Sequence, residues 1–302
     1  MTQPLYRSPF ALWKEKAAVR SMPLAPWIVP GEGRWFPNDP WSVAAHPTVT
    51  ASGRAHLVAA ELLAAYLDFT IQLESMCVGP VSRDIALGLV GAEYPDELAR
   101  DALRVQCDET FHALLCHELR RHVVDYAGIA APRVAQHSFL RVVSTLREQL
   151  APFAPAASVD FCAAVVAETV ITKTLLKDWD EGELRPEVRE FLLRHYKDEL
   201  RHGAFFAQAL RIVWPQWDDD VRHAIEPFWS ELTLGFLSPD ADLALGALEA
   251  AGFAAHEAQP IVRDCMRHAA DATEVRASIS GTLAALHDAG AMSERSCAVA
   301  LA

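Results

Sequence analysis

The 302-residue chain has no run of about 18 uninterrupted apolar residues, and its opening stretch, MTQPLYRSPFALWKEK, has no apolar segment of the kind that begins a secretory leader. Neither a membrane span nor a signal peptide is expected, and a cytoplasmic location follows. Cationic excess is also missing. The 27 Lys and Arg are outnumbered by 40 Asp and Glu, for a net charge of -13, so no nucleic-acid partner is expected. Cysteine is sparse: Cys77, Cys107, Cys116, Cys162, Cys265 and Cys297 include no C-x-x-C pair. They read as reduced, buried thiols, which excludes a disulfide framework or a thiolate zinc site. No linker, low-complexity segment or convincing period-two run interrupts the chain, which argues against β-structure.

What is present is apolar bulk: 51% of residues are hydrophobic and 22% charged, enough for a large core. The first fifty residues stand apart. Pro4, Pro9, Pro23, Pro26, Pro30, Pro37, Pro40 and Pro47 fall there with Trp13, Trp27, Trp35 and Trp41. That is too much proline for regular helices and too much tryptophan for a free tail. Residues 1–52 therefore read as an arm that wraps a body spanning 53–302. The body is helical almost throughout, with helices expected from Gly53 to Val78 (stopping at Gly79-Pro80), from Pro95 to Ala127, from Pro132 to before Pro152, from Ser158 to Asp180 and from Pro186 to Trp214. Shorter helices fill the rest to Ala302, so the chain is all-α.

Within this helical body one phrase occurs twice. VQCDETFHALLCHELRRH carries Asp108, Glu109 and His112, and KDELRH carries Asp198, Glu199 and His202. Roughly one Glu-x-x-His is expected by accident in such a chain. These are the only two in the sequence, and both have the preceding Asp. Upstream of each lies a glutamate on an apolar helix, Glu74 before the first and Glu168 before the second. Glu74 shares a helix face with Leu67, Thr70, Ile71 and Val78, whereas Glu61 and Asp68 lie on another stripe; Glu168 sits in FCAAVVAETVITKTLL, which has hardly a polar face. A lone buried carboxylate costs several kcal/mol, so it must be protonated, hydrogen-bonded or bound to a cation. Residues at i and i+3 share a face, and a bundle with two helices each offering Glu and two each offering Glu-x-x-His is the ferritin-like two-metal pattern. Four carboxylates suit two divalent ions, iron or manganese rather than zinc. The Asp before each motif is placed to hold a ligand histidine of the opposite motif, Asp108 for His202 and Asp198 for His112.

These residues resemble those of the diiron N-oxygenases typified by p-aminobenzoate N-oxygenase. The resemblance covers roughly Gly53 to Trp214, and its sharpest element is His195, one turn before the second Glu-x-x-His, where that family has a seventh ligand. It implies a ferritin-like four-helix bundle with a long helix 2–3 crossover and additional N- and C-terminal segments. It implies two iron ions held by Glu74, Glu109, His112, Glu168, His195, Glu199 and His202, with O2 as co-substrate. The implied activity is N-oxygenation of an amine, to a hydroxylamine, nitroso or nitro product, via a diiron-peroxo intermediate in specialised metabolism. A carrier-tethered amine and a homodimer stay open, and an external electron donor is implied. Tyr66, two turns before Glu74, is a candidate for the substrate pocket, and Arg263, Arg267 and Arg276 are candidates for a substrate carboxylate. His117 and His122 read as surface or packing residues. The alternatives are carbon hydroxylation or desaturation on the same frame without need of His195, and a non-catalytic iron-binding bundle.

Overall fold

Four long helices enclose the site, and the computed structural model describes residues 5–21, 28–36, 42–178, 183–268 and 272–292, with side chains omitted at 172–178, 268 and 272–277. The arm carries short helices α1 (Trp13–Lys16), α2 (Ala18–Ser21) and α3 (Pro47–Ala51). Helix α4 (Ala55–Leu73) runs through a π turn at Glu74–Val78 into α5 (Gly79–Ala86), and α6 (Asp96–Ala127) returns alongside it. After α7 (Ser138–Leu150), the second pair is α8 (Ala156–Asp178) and α9 (Pro186–Val213). The chain ends in α10 (Asp219–Ile225), α11 (Trp229–Leu237), α12 (Ala241–Ala250), α13 (Ala255–His268) and α14 (Ala272–Asp288). No strand occurs among the described residues, only one isolated bridge between Arg34 and Leu184.

Two expected helix ends are corrected. Gly79-Pro80 does not stop the first helix, because proline in the first turn of α5 forfeits only an N–H that has no partner there. The preceding turn widens instead, and the Gly79 N–H bonds to the Glu74 carbonyl five residues back. A Cβ at Gly79 would lie 2.7 Å from that carbonyl oxygen, so only glycine lets the wide turn close. The helix expected from Pro132 opens at Ser138, since residues 129–137 are claimed by other partners. Glu61 accepts the N–H groups of Ala130 and Ala131, and Gln72 donates to the Val134 carbonyl. The stripe of Glu61 and Asp68 is thus buried against the crossover, Asp68 facing His137 at 3.4 Å.

One apolar core runs through the bundle and includes Tyr6, Phe10 and Trp35 from the arm. A second cluster joins Val43, Val49 and Val58 to Leu248, Phe253 and Ile261. The run 55–86 is long and apolar enough to cross a membrane, yet half of its apolar window is buried in this bundle. Cys77, Cys116, Cys162 and Cys265 are buried free thiols; Cys107 is exposed, contrary to expectation, because it lies on the outer face of α6 next to inward-facing Asp108. Cys297 and the segments 1–4, 22–27, 37–41 and 293–302, with Pro4, Pro23, Pro26, Trp27, Pro37, Pro40 and Trp41, lie outside the described residues.

Candidate metal centre

The two helix pairs bring Glu74, Glu109, His112, Glu168, His195, Glu199 and His202 into one cluster at the middle of the bundle, none of them more than 2% exposed. Their ligand atoms form three overlapping groups within 4.8 Å: Glu74 with His112, His195 and Glu199; Glu109 with His112, Glu199 and His202; and Glu74 with Glu109 and Glu168. His112 turns Nδ1 inward, 3.0 Å from Glu109 and 3.3 Å from Glu199. His202 does the same, 2.8 Å from Glu109 and 3.8 Å from Glu168. His195 presents Nε2 instead, 3.0 Å from Glu199 and 3.5 Å from Glu74.

The aspartates cross between the halves. Asp198 faces His112 Nε2 at 3.1 Å and Asp108 faces His202 Nε2 at 3.2 Å. A carboxylate there takes the ring N–H and leaves Nδ1 as a lone-pair donor toward the cluster.

A family model described as p-aminobenzoate N-oxygenase AurF matches residues 32–290. The chain belongs to this family. It is an N-oxygenase-type enzyme with an all-α fold, and its buried Glu/His cluster is compatible with metal binding. No individually curated protein matches the chain.

In this N-oxygenase the electrostatics of the cluster have a clear pattern. Burial, and next the charges of Glu109 and Glu199, push the Glu74 carboxyl well above the usual range; burial and the same two charges do so for Glu168. Burial also pushes Glu109 and Glu199 up, but His202 and the other imidazoles outweigh it and hold both low. His112 and His202 rise well above the ordinary histidine value, since hydrogen bonds and charge from Glu109 and Glu199 overcome burial. His195 falls, through burial and then the neighbouring His112. The set thus divides into groups whose proton affinity is raised, Glu74, Glu168, His112 and His202, and two carboxylates whose proton affinity is lowered, Glu109 and Glu199.

The arm supplies groups that sequence reading did not connect to the site. Trp13 Nε1 donates to both oxygens of Asp108, at 3.0 and 2.8 Å. The backbone N–H of Ala18 donates to Asp198 at 3.1 Å, and Arg201 pairs with the other oxygen of Asp198. Phe10 stacks on His202 with ring centroids 6.1 Å apart, closing that side of the cluster. A contact between residues 95 positions apart leaves no periodic trace, and an arm tryptophan carries no motif that could have revealed it. Trp13 and Ala18 also precede the matched region.

Other candidates lie apart from the cluster. Tyr66 is partly buried on α4, its ring 6.1 Å from Phe36 of the arm. Arg263 and Arg267 are exposed on α13, Arg267 pairing with Asp264, and the Arg276 side chain lies outside the described residues. His117 is exposed, and His122 packs against Trp35 near Glu187. Cavities at Leu5, Arg7, Gln208 and Arg211, and between His46 and Arg267, include no cluster residue.

Proposed function

We propose that this N-oxygenase holds two iron ions in the seven-residue cluster and oxygenates the nitrogen of a small-molecule amine, an arylamine first among candidates, in specialised metabolism. O2 is the co-substrate and an external donor supplies electrons. The observation that carries the reading is the position of His195, whose Nε2 joins Glu74, His112 and Glu199 to make a third imidazole at the site. The donor set fits the ions: four carboxylates and three imidazoles, all buried, whose ligand atoms converge in overlapping groups within 4.8 Å.

When bound, the two ions would supply Lewis acidity and the capacity to bind and reduce O2. The chain's own groups do the rest. Asp108 and Asp198 fix the tautomers of His202 and His112, so that Nδ1 of each keeps its lone pair toward the cluster. Phe10 and the apolar walls keep bulk water out, which strengthens each electrostatic contact inside. Glu74, opening a π turn, has a wider helix beneath it than Glu168 has.

Incubating the reduced, iron-loaded protein with isotopically labelled O2 and a panel of amines tests the reading by mass spectrometry. The expected product carries label on nitrogen. Label on carbon with every amine untouched would replace the reading with carbon hydroxylation.

A further inference from the structure

We propose that electrons enter the metal centre through Trp13, Asp108 and His202, delivered by an acidic one-electron carrier protein that docks on the basic N-terminal segment. The inference rests on the oxygenase reading above, which requires a donor but does not say where it binds.

All seven cluster residues are buried, so a carrier protein cannot touch them directly. Trp13 is only partly buried and is hydrogen-bonded through its indole N–H to Asp108, which in turn faces the Nε2 of His202 at 3.2 Å. The path from the protein surface to an inward-facing imidazole is therefore one indole, one carboxylate and one imidazole, joined by two hydrogen bonds. Among the described residues the opposite half is finished without an aromatic on its aspartate. There the partner of Asp198 is the peptide N–H of Ala18 and the guanidinium of Arg201, neither with a readily oxidised or reduced π system.

Charge points to the partner. Between residues 5 and 21 the exposed Arg7, Lys14, Lys16 and Arg20 face one exposed anion, Glu15, in a chain whose net charge is -13. Arg104 lies 5.9 Å over the Trp13 ring, its charge paired with the buried Asp101. Exposed Leu5 and Leu12 give the segment apolar contacts beside those charges. A cationic segment steers an acidic partner toward it.

The electron balance is simple. Placing one oxygen atom of O2 on nitrogen and releasing the other as water consumes two electrons and two protons beyond the O2. Each carrier molecule is oxidised by one electron and one ferric ion becomes ferrous, so the path is used twice; Trp13 bridges the transfer and is unchanged at its end.

Stopped-flow reduction of the oxidised, iron-loaded protein tests this, with reduced plant-type ferredoxin as the acidic carrier and photoreduced deazariboflavin as a small uncharged donor. Trp13→Phe should slow reduction by ferredoxin relative to the wild type while leaving iron content unchanged. Added salt should slow the wild type with ferredoxin and leave deazariboflavin nearly unaffected. In the same variant, product formed in one turnover of chemically pre-reduced protein should fall much less, because no electron has to enter. Equal losses in the two measurements would make Trp13 merely a support for Asp108, and no loss in reduction would overturn the path outright. Should Trp13→Phe fail to load iron, the double variant Lys14→Glu/Lys16→Glu decides: slower reduction by ferredoxin than by deazariboflavin supports the proposal, and an unaltered ferredoxin rate overturns it. A wild type that oxygenates no amine yet shows the Trp13-dependent reduction breaks the oxygenase reading and leaves this one standing.

Discussion

The two halves of the bundle carry the same motif but are finished differently. Both give an upstream glutamate and Asp-Glu-x-x-His. In the second half the position four before Glu199 is His195; in the first, the position four before Glu109 is Val105, fully buried in the apolar core. Glu168 sits in regular α-helix and Glu74 opens a π turn. Asp108 is held by an indole and Asp198 by a backbone N–H and Arg201. Repetition thus accounts for a symmetrical set of Glu and His, and the departures from it make the two halves unequal: one adds the imidazole of His195 beside Glu74 and His112, the other an indole hydrogen-bonded to the aspartate that faces His202.

Removing a carboxylate from either half should have the largest effect. Glu168→Ala is expected to hold about one iron per chain where the wild type holds about two, as the two-metal bundle pattern requires, and to lose turnover with it. Iron analysis after anaerobic ferrous loading checks this, and an unchanged content of two would remove Glu168 from the site.

His195→Val makes the second half match the first. That variant should keep both ions, since six donors remain, yet lose transfer of oxygen to nitrogen. Iron content and product analysis together separate the outcomes; full N-oxygenation would show that His195 is packing.

Asp108→Asn and Asp198→Asn probe the crossed supports. Each should lower iron affinity or activity about 10–100-fold, because the ring N–H of the opposing histidine loses its carboxylate. Unchanged binding and turnover in both would reduce the aspartates to buried helix charges.

The smallest expected effect is shared by both halves. Glu74, Glu168, His112 and His202 all have raised proton affinity, so protons compete with divalent ions there and ferrous loading in weak buffer should release protons, measurable by pH-stat. Acidification fills these groups with protons and weakens metal uptake, and raising the pH favours it. Loading without proton release would sink the charge assignment.

The helical class, the four long helices and the donor set were legible because each is written periodically: Glu-x-x-His is a local pattern, and an apolar helix with one glutamate announces itself. The crossed pairing of Asp108 with His202 and Asp198 with His112 followed from the repeat. Less legible was whatever depends on contacts distant in sequence. Pro80 read as a stop because a π turn that shelters it has no signature beyond Gly79. Pro132 read as a start because the pull of Glu61 on Ala130 and Ala131 spans some seventy residues. Cys107 read as buried because a helix rich in inward groups hides which stripe faces out. Trp13 was visible only as one of several arm tryptophans.

The arm ties the two halves to one another. Trp13 holds Asp108 and the Ala18 N–H holds Asp198, so one short segment ahead of the bundle braces the aspartate of each motif. Cutting the chain before residue 28 would take a support from both motifs at once. Two stretches of sequence that repeat each other thus depend on a third that resembles neither.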